Sequence, residues 1–222
     1  MTAATQMVYF ADPMCSWCYG FSPVIAALAE RLQGRLPLRL VMGGLRAGTR
    51  EAMGPAEKAH VREAWLSVAA ATGQVFDLGF FQREGFSYDT EPACRAVVAV
   101  RRIRPQLALT FMARLQQAFY ANNRDITCAD EIAGIAAETG LLRQTFADAF
   151  EAAETRNETF RDFLRAQELG IRGFPTLIAG SDATGYTLVS SGYRPLTDLL
   201  PPLERWLAAG ASVSAPNPGG SQ

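Results

Sequence analysis

Residues 7–18 read MVYFADPMCSWC, an apolar run at 7–11 followed by cysteines four and seven residues after its end. The run at residues 7–11 predicts a buried strand, and the Asp-Pro pair after it predicts the turn that ends the strand. Apolar residues then recur at helical spacing until Gly34, which is a typical helix stop. Alternating apolar residues at 36–42 predict a second strand. The start of the chain therefore predicts a βαβ unit with a parallel strand pair.

The middle of the chain carries helical patterns and few strand signals. Strand signals return after Gly170, where residues 175–179 and 186–190 predict an antiparallel hairpin. A last helix is predicted to become regular only at Pro201-Pro202, because proline fits the first turn of a helix. The six helices predicted before the hairpin lie at residues 55–71, 91–104, 106–121, 128–139, 142–149 and 156–169.

These patterns predict an α/β fold in which βαβ and ββα halves form one mixed sheet. Residues 1–50 and 170–210 are predicted to make up one discontinuous domain. Residues 51–169 are predicted to form an all-helical insertion domain between the two halves. Residues 211–222 are rich in Ser, Pro and Gly and predict a disordered tail.

The composition is that of a globular protein without a charge excess. Hydrophobic residues make up 49% of the 222 residues, and 21 Lys and Arg nearly balance 22 Asp and Glu. This balance argues against nucleic acid or an anionic membrane as a partner. The single histidine, His60, is predicted to lie on a helix surface and argues against a catalytic triad or a multi-His metal site. A short polar N-terminus without a long apolar segment predicts a cytoplasmic protein.

Cys15 and Cys18 form a Cys-x-x-Cys motif at the predicted start of the first helix. Residues three apart share a helix face, so the two sulfurs can reach each other for a reversible disulfide. The helix dipole and the unpaired N–H groups of the first turn stabilise a thiolate at Cys15, which makes it a nucleophile and a good leaving group. Cys18, deeper in the helix, is predicted to be the resolving thiol.

For the metal-binding role of the motif, and for the roles of Cys94, Cys128 and Asp12, the sequence leaves alternatives open. The motif is also half of a zinc site, but Cys94 and Cys128 do not form a second such pair, so no metal is predicted. Cys94 is predicted to be a small buried residue, with a thiol facing the Cys15 cleft as the alternative. Cys128, at a predicted helix start, is either a mildly reactive surface thiol or an inert one. Asp12 is predicted to be a turn residue, with help in proton transfer as the alternative.

A cluster of three arginines, Arg101, Arg102 and Arg104, lies near the end of the second predicted insertion helix. On a chain whose charges otherwise balance, this cluster predicts a solvated helix face.

Three features together resemble a known family. They are CSWC at residues 15–18 after the first strand, Pro23 five residues beyond the second cysteine, and GFPT at residues 173–176. With the long helical block, the chain looks like a DsbA-family thioredoxin-fold protein of the cytoplasmic FrnE-like branch. That branch is related to kappa-class glutathione transferases and 2-hydroxychromene-2-carboxylate isomerases. The resemblance covers nearly the whole chain except the tail.

The resemblance implies that Pro175 is a cis-proline packed against the active-site sulfurs. Nearby backbone groups would then be free to pair with an extended substrate, in a groove bordered by Trp17, Phe174 and Pro175. The chain departs from periplasmic DsbA proteins, which carry a His between the cysteines, and a strongly oxidising potential is therefore not expected. It also departs from thioredoxins, which tend to have a buried acid where this chain has Tyr9.

The leading hypothesis is a thiol–disulfide oxidoreductase that acts on protein or small-molecule thiols and disulfides through Cys15 and Cys18. No cofactor is predicted, and glutathione is a candidate redox partner. A glutathione-dependent transferase or isomerase of the kappa type is the alternative, although such enzymes typically have Ser at the position of Cys15 and need no second cysteine. A third hypothesis is a binding module with a vestigial Cys-x-x-Cys. The sequence predicts neither the oligomeric state nor the direction of net electron transfer.

Overall fold

The structure is a computed structural model that describes residues 5–208. Its strands are β1 (Gln6–Ala11), β2 (Leu38–Met42), β3 (Thr176–Ser181) and β4 (Gly185–Ser191). They form one mixed sheet in the order β2-β1-β3-β4. β1 pairs in parallel with β2 and antiparallel with β3, and β3 pairs antiparallel with β4. The predicted βαβ start and the closing hairpin are therefore confirmed.

Helices cover most of the rest of the described chain. One helix connects β1 to β2, six lie between β2 and β3 as predicted, and one follows β4. They are α1 (Ser16–Leu32), α2 (Pro55–Thr72), α3 (Glu91–Ile103), α4 (Ala108–Tyr120), α5 (Ala129–Glu138), α6 (Arg143–Glu151), α7 (Ala153–Glu168) and α8 (Leu196–Ala208). Among residues 5–208, no helix is both long and apolar enough to span a bilayer. The division into two domains stays a prediction.

β1 is a central strand that is buried on both faces. Met7 and Tyr9 point into the main core, which also contains the apolar face of α1. Val8 and Phe10 point to the opposite face, where they pack with Ala166 of α7. A strand covered on both sides reads as a continuous apolar run, which explains the sequence signal at residues 7–11. The loop that carries the two cysteines therefore starts from a firmly held strand end.

An aromatic cluster around Trp65 fixes α2 in place. The Trp65 ring centroid lies 4.8 Å from that of Phe81 and 4.9 Å from those of Phe80 and Tyr120. Phe80 and Phe81 belong to a short 3₁₀ helix, Leu78–Gln82, and Tyr120 ends α4. Aromatic pairs of this kind add about 0.5–1.5 kcal/mol each beyond the burial of their area. The cluster ties α2 to α4 and so holds the helical wall that faces α1.

The predicted start of the last helix is wrong. α8 begins at Leu196, so that Pro201 and Pro202 lie inside it. Leu199 and Leu203 are four residues apart and are both buried on the core side, one before and one after the prolines. This packing holds the helix together across two positions that lack an N–H donor. The predicted disordered tail at residues 211–222 lies outside the described residues.

The predicted solvated arginine face is also wrong for Arg101. Its Nη1 donates to Asp162 Oδ2 at 2.8 Å and to the Leu40 carbonyl at 2.6 Å. The Asp162 carboxylate in turn accepts the Met42 N–H at 2.9 Å. Burial raises the pKa of Asp162, while Arg101 opposes that rise. These bonds fasten α3 and α7 to the end of β2, just before the loop that borders the cysteines.

Candidate active site at the start of α1

A tight turn after β1 places Cys15 immediately before α1. Asp12 Oδ1 accepts the Met14 N–H at 2.8 Å, and the Asp12 carbonyl accepts the Cys15 N–H at 3.1 Å. Cys15 has extended backbone angles and is the N-cap of α1. An Asp that binds a backbone N–H two residues on is typical of such turns, and Pro13 lacks the N–H that would extend the strand. The predicted position of Cys15 is therefore confirmed.

Cys15 faces the opposite half of the sheet. Its Sγ lies 3.4 Å from the carbonyl oxygen of Phe174, within hydrogen-bond distance for a thiol, and the residue is 6% exposed. The first N–H groups of a helix have no partner within the helix, and their positive end favours an anion beside them. Cys15 therefore lies at the end of α1 that attracts anions.

Cys18 lies one helical turn further in, where it is 0% exposed. Both cysteines are free thiols. Burial raises the pKa of Cys18, and the neighbouring Cys15 sulfur raises it further because two thiolates repel each other. Cys18 is therefore the better buried of the pair, and it holds its proton more firmly than an ordinary cysteine does. This is the arrangement expected of a resolving thiol.

The loop that meets Cys15 comes from the start of β3. The Phe174–Pro175 peptide bond is cis. Phe174 is half-buried and Pro175 is buried. A Cβ on Gly43 would overlap the Phe174 ring, so the close approach of the ring requires glycine there. The roles of Trp17, Phe174 and Pro175 in substrate binding stay a prediction.

A cleft of about 270 Å³ opens beside Cys15. Trp17 and Phe174 line it, together with residues that sequence reasoning did not assign to the site. Arg46 follows β2, ion-pairs with Glu57 and lies 5.0 Å from the centre of the Tyr88 ring. The other cleft residues are Met14, Cys15, Ser16, Leu45, His60, Val61, Ala64, Trp65, Tyr88 and Gly173. His60 is exposed on α2, as expected, but it borders the cleft.

Asp12 does more than turn the chain. It is 0% exposed, and its Oδ2 accepts the Leu45 N–H at 2.7 Å and the Cys94 Sγ–H at 3.4 Å. Burial raises the pKa of the Asp12 carboxyl, against the effect of these donors. Cys94 is buried as predicted, but its thiol is a hydrogen-bond donor rather than a plain apolar group. Cys128, in contrast, lies exposed before α5.

Comparison with known proteins places this arrangement among related folds. The family model described as a DSBA-like thioredoxin domain matches residues 6–198. A solved structure of a candidate protein disulfide isomerase from Nitrosomonas europaea is 36% identical, with a TM-score of 0.87 over 92% of this chain and 98% of that one. The cytosolic disulfide reductase DsbM from Pseudomonas aeruginosa is 28% identical, with a TM-score of 0.72 over 93% and 97% of the two chains. A DsbM structure with GSH is similar at 27% identity and a TM-score of 0.71, over the same shares of the two chains.

Two curated relatives carry the name ClpXP adapter protein SpxH. The protein from Bacillus subtilis is 23% identical over 78% of this chain and 57% of its own length. The protein from Halalkalibacterium halodurans is 20% identical over 80% of this chain and 59% of its own length. The chain thus spans less than three fifths of the curated relatives that it matches.

Proposed function

We propose that this chain, which belongs to the DSBA-like thioredoxin domain family, is a thiol–disulfide oxidoreductase that uses Cys15 and Cys18. One observation carries the proposal. Cys15 is the N-cap of α1 with its sulfur turned to the Phe174 carbonyl, while Cys18 is buried one turn behind it. This geometry supports a nucleophile that borders the cleft and a second thiol that can reach the same sulfur.

The exchange runs through a mixed disulfide. In the reducing direction, the Cys15 thiolate attacks one sulfur of a substrate disulfide, forms Cys15–S–S–R and releases the other sulfur as a thiol. Cys18 then attacks the Cys15 sulfur, a Cys15–Cys18 disulfide forms, and the second substrate sulfur leaves. The substrate gains two electrons and two protons, and the protein loses them. The oxidising direction is the reverse.

The substrate binds, in this proposal, in the cleft beside Cys15. Trp17 and Phe174 border the cleft, and the backbone around Pro175 pairs with an extended peptide as the family resemblance implies. Glutathione is the proposed thiol partner, which the similarity to DsbM with GSH supports. Arg46 and His60 would face the carboxylates of such a tripeptide. The similarity to a cytosolic reductase supports a cytoplasmic location.

Cys18 favours this function over a kappa-type glutathione transferase. A transferase activates one glutathione thiol and has no use for a second protein thiol. Here the second thiol is fully buried beside the first, where it can do little besides resolve a disulfide.

A redox titration tests the proposal. The protein is equilibrated in glutathione buffers, and Trp17 fluorescence and thiol trapping report the state of the cysteines. We expect one cooperative two-electron transition between about -270 and -120 mV, the range from thioredoxin to DsbA. The transition should vanish in Cys18→Ser and persist in Cys94→Ser. The opposite pattern, or no transition, would contradict the proposal.

A further inference from the structure

The hydroxyl of Tyr9 is a buried polar group in need of a partner. The residue is 0% exposed, and its oxygen forms no hydrogen bond with any atom of residues 5–208. Buried hydroxyls are almost always hydrogen-bonded, because losing water without a replacement partner is unfavourable. A buried and unpaired hydroxyl has its proton available to donate to a nearby group that becomes charged.

Tyr9 faces the side of α1 that carries Cys18. Its ring centroid lies 5.9 Å from that of Phe21. Phe21 and Cys18 are three residues apart, share one helix face and are both fully buried. Burial raises the pKa of the Tyr9 hydroxyl most, and negative charge on the nearby Cys18 and Cys15 sulfurs raises it further. Tyr9 therefore keeps its proton and remains a donor.

Another polar side chain near the cysteines is already occupied. The Asp12 carboxylate accepts hydrogen bonds from the Met14 N–H, the Leu45 N–H and the Cys94 thiol. Its negative charge also disfavours a thiolate at Cys18. A carboxylate held in this way is poorly placed to stabilise a second negative charge, whereas the Tyr9 hydroxyl is neutral and unengaged.

We propose, on the basis of the proposed function, that the Tyr9 hydroxyl donates a hydrogen bond to the Cys18 thiolate as Cys18 resolves the mixed disulfide. In that step, Cys18–SH and Cys15–S–S–R become a Cys15–S–S–Cys18 disulfide and R–SH. The S–S bond to R breaks, a new S–S bond forms, and the proton of Cys18 ends on the leaving sulfur. Tyr9 keeps its own proton throughout.

The hydrogen bond from Tyr9 raises the rate of the resolving step because it forms only when negative charge develops on the Cys18 sulfur. The neutral Cys18 thiol gains little from the hydroxyl, and the thiolate gains a charge-assisted bond in a fully buried site. An interaction that is stronger in the transition state than in the ground state accelerates a step. An interaction that stabilises the ground state and the transition state equally does not. A phenol serves this purpose without competing for the proton.

The test separates the two steps of one turnover. A Cys128→Ser background removes the exposed thiol, and a chromogenic aromatic disulfide is mixed with the reduced protein in rapid-mixing experiments. The first release of coloured thiol reports the attack by Cys15, and the second reports resolution by Cys18. In Tyr9→Phe we expect an unchanged first release and a second release that is about tenfold slower, with its pH profile moved to higher pH. The redox potential at neutral pH should not change, because Cys18 is then protonated.

Tyr19→Phe is the matched control. It removes a hydroxyl from α1, the helix that carries Cys18, but that hydroxyl donates to the Val75 carbonyl at 3.1 Å. Both release rates should therefore stay at the parent values. A second release in Tyr9→Phe with the parent rate and pH profile would overturn the proposal. Equal slowing of both releases, with a lower melting temperature, would also overturn it, since that is the result of a purely structural role. A parent protein without any Cys15-dependent release would instead contradict the proposed function.

Discussion

The two ends of the Cys-x-x-Cys motif lie one helical turn apart in very different surroundings. The Cys15 end faces the cleft, next to the Phe174 carbonyl and the positive end of α1. The Cys18 end faces the core, where burial raises its pKa and Tyr9 is the nearby hydroxyl. The same side chain thus receives two roles from its position on one helix. In the proposed mechanism, burial rather than residue type decides which of the two sulfurs attacks the substrate.

Removal of the cleft-side sulfur should have the largest effect. Cys15→Ser leaves a hydroxyl that is a poor nucleophile at neutral pH, so we expect disulfide exchange to fall by about 10³-fold or more. Exchange is measured as the initial rate of glutathione-coupled reduction of a disulfide-linked peptide. Cys128→Ser, which changes an exposed thiol, should keep the parent rate. Retained exchange in Cys15→Ser would remove the basis for distinguishing the two ends.

The rate of the resolving step at Cys18 should depend on pH. Because burial raises the pKa of Cys18, this thiol is protonated at neutral pH and its thiolate fraction rises about tenfold for each pH unit below that pKa. The resolving step should therefore accelerate with the same slope from neutral to mildly alkaline pH, measured as the second release in the two-step assay. A flat profile would mean that Cys18 is already ionised at neutral pH, contrary to the account.

A smaller effect should follow from disturbing the contact between the two halves of the sheet. In Gly43→Ala the added methyl group overlaps the Phe174 ring, and the displaced ring moves the carbonyl that faces Cys15. We expect a loss of about 1–3 kcal/mol in the free energy of unfolding and a several-fold slower first release. Gly54→Ala, with nothing within 4 Å of the added atom, should cost less than about 1 kcal/mol and leave both releases unchanged. Equal behaviour of the two variants would show that Phe174 does not position Cys15.

The secondary-structure elements that produce a clear pattern in the nearby sequence could be predicted. The continuous apolar run at residues 7–11 identified a strand buried on both faces, and the Asp-Pro pair identified the turn after it. The spacing of Cys15 and Cys18 then placed both sulfurs on one side of α1. Six helices between the sheet halves followed from their apolar periodicity. All of these depend on residues within a few positions of each other.

The rest depends on residues that are distant in the chain. Asp12 is buried because Leu45 and Cys94 donate to it, and neither partner is visible from the sequence around it. Arg101 leaves the solvent because Asp162 lies opposite on another helix. Arg46 enters the cleft wall only because the end of β2 is fastened next to Cys15. Local sequence patterns carry no information on such pairings. The contacts of Asp12, Arg101 and Arg46 could therefore not be predicted from the sequence.

One trapping experiment tests the distinction between the two cysteines most directly. Cys18→Ser in the Cys128→Ser background is mixed with the chromogenic aromatic disulfide, and the product is mapped by mass spectrometry of its peptides. The account predicts that one coloured thiol is released per protein and that a stable mixed disulfide remains on Cys15. An adduct on Cys94, or no adduct on Cys15, would contradict the assignment of Cys15 as the attacking thiol and Cys18 as the resolving one.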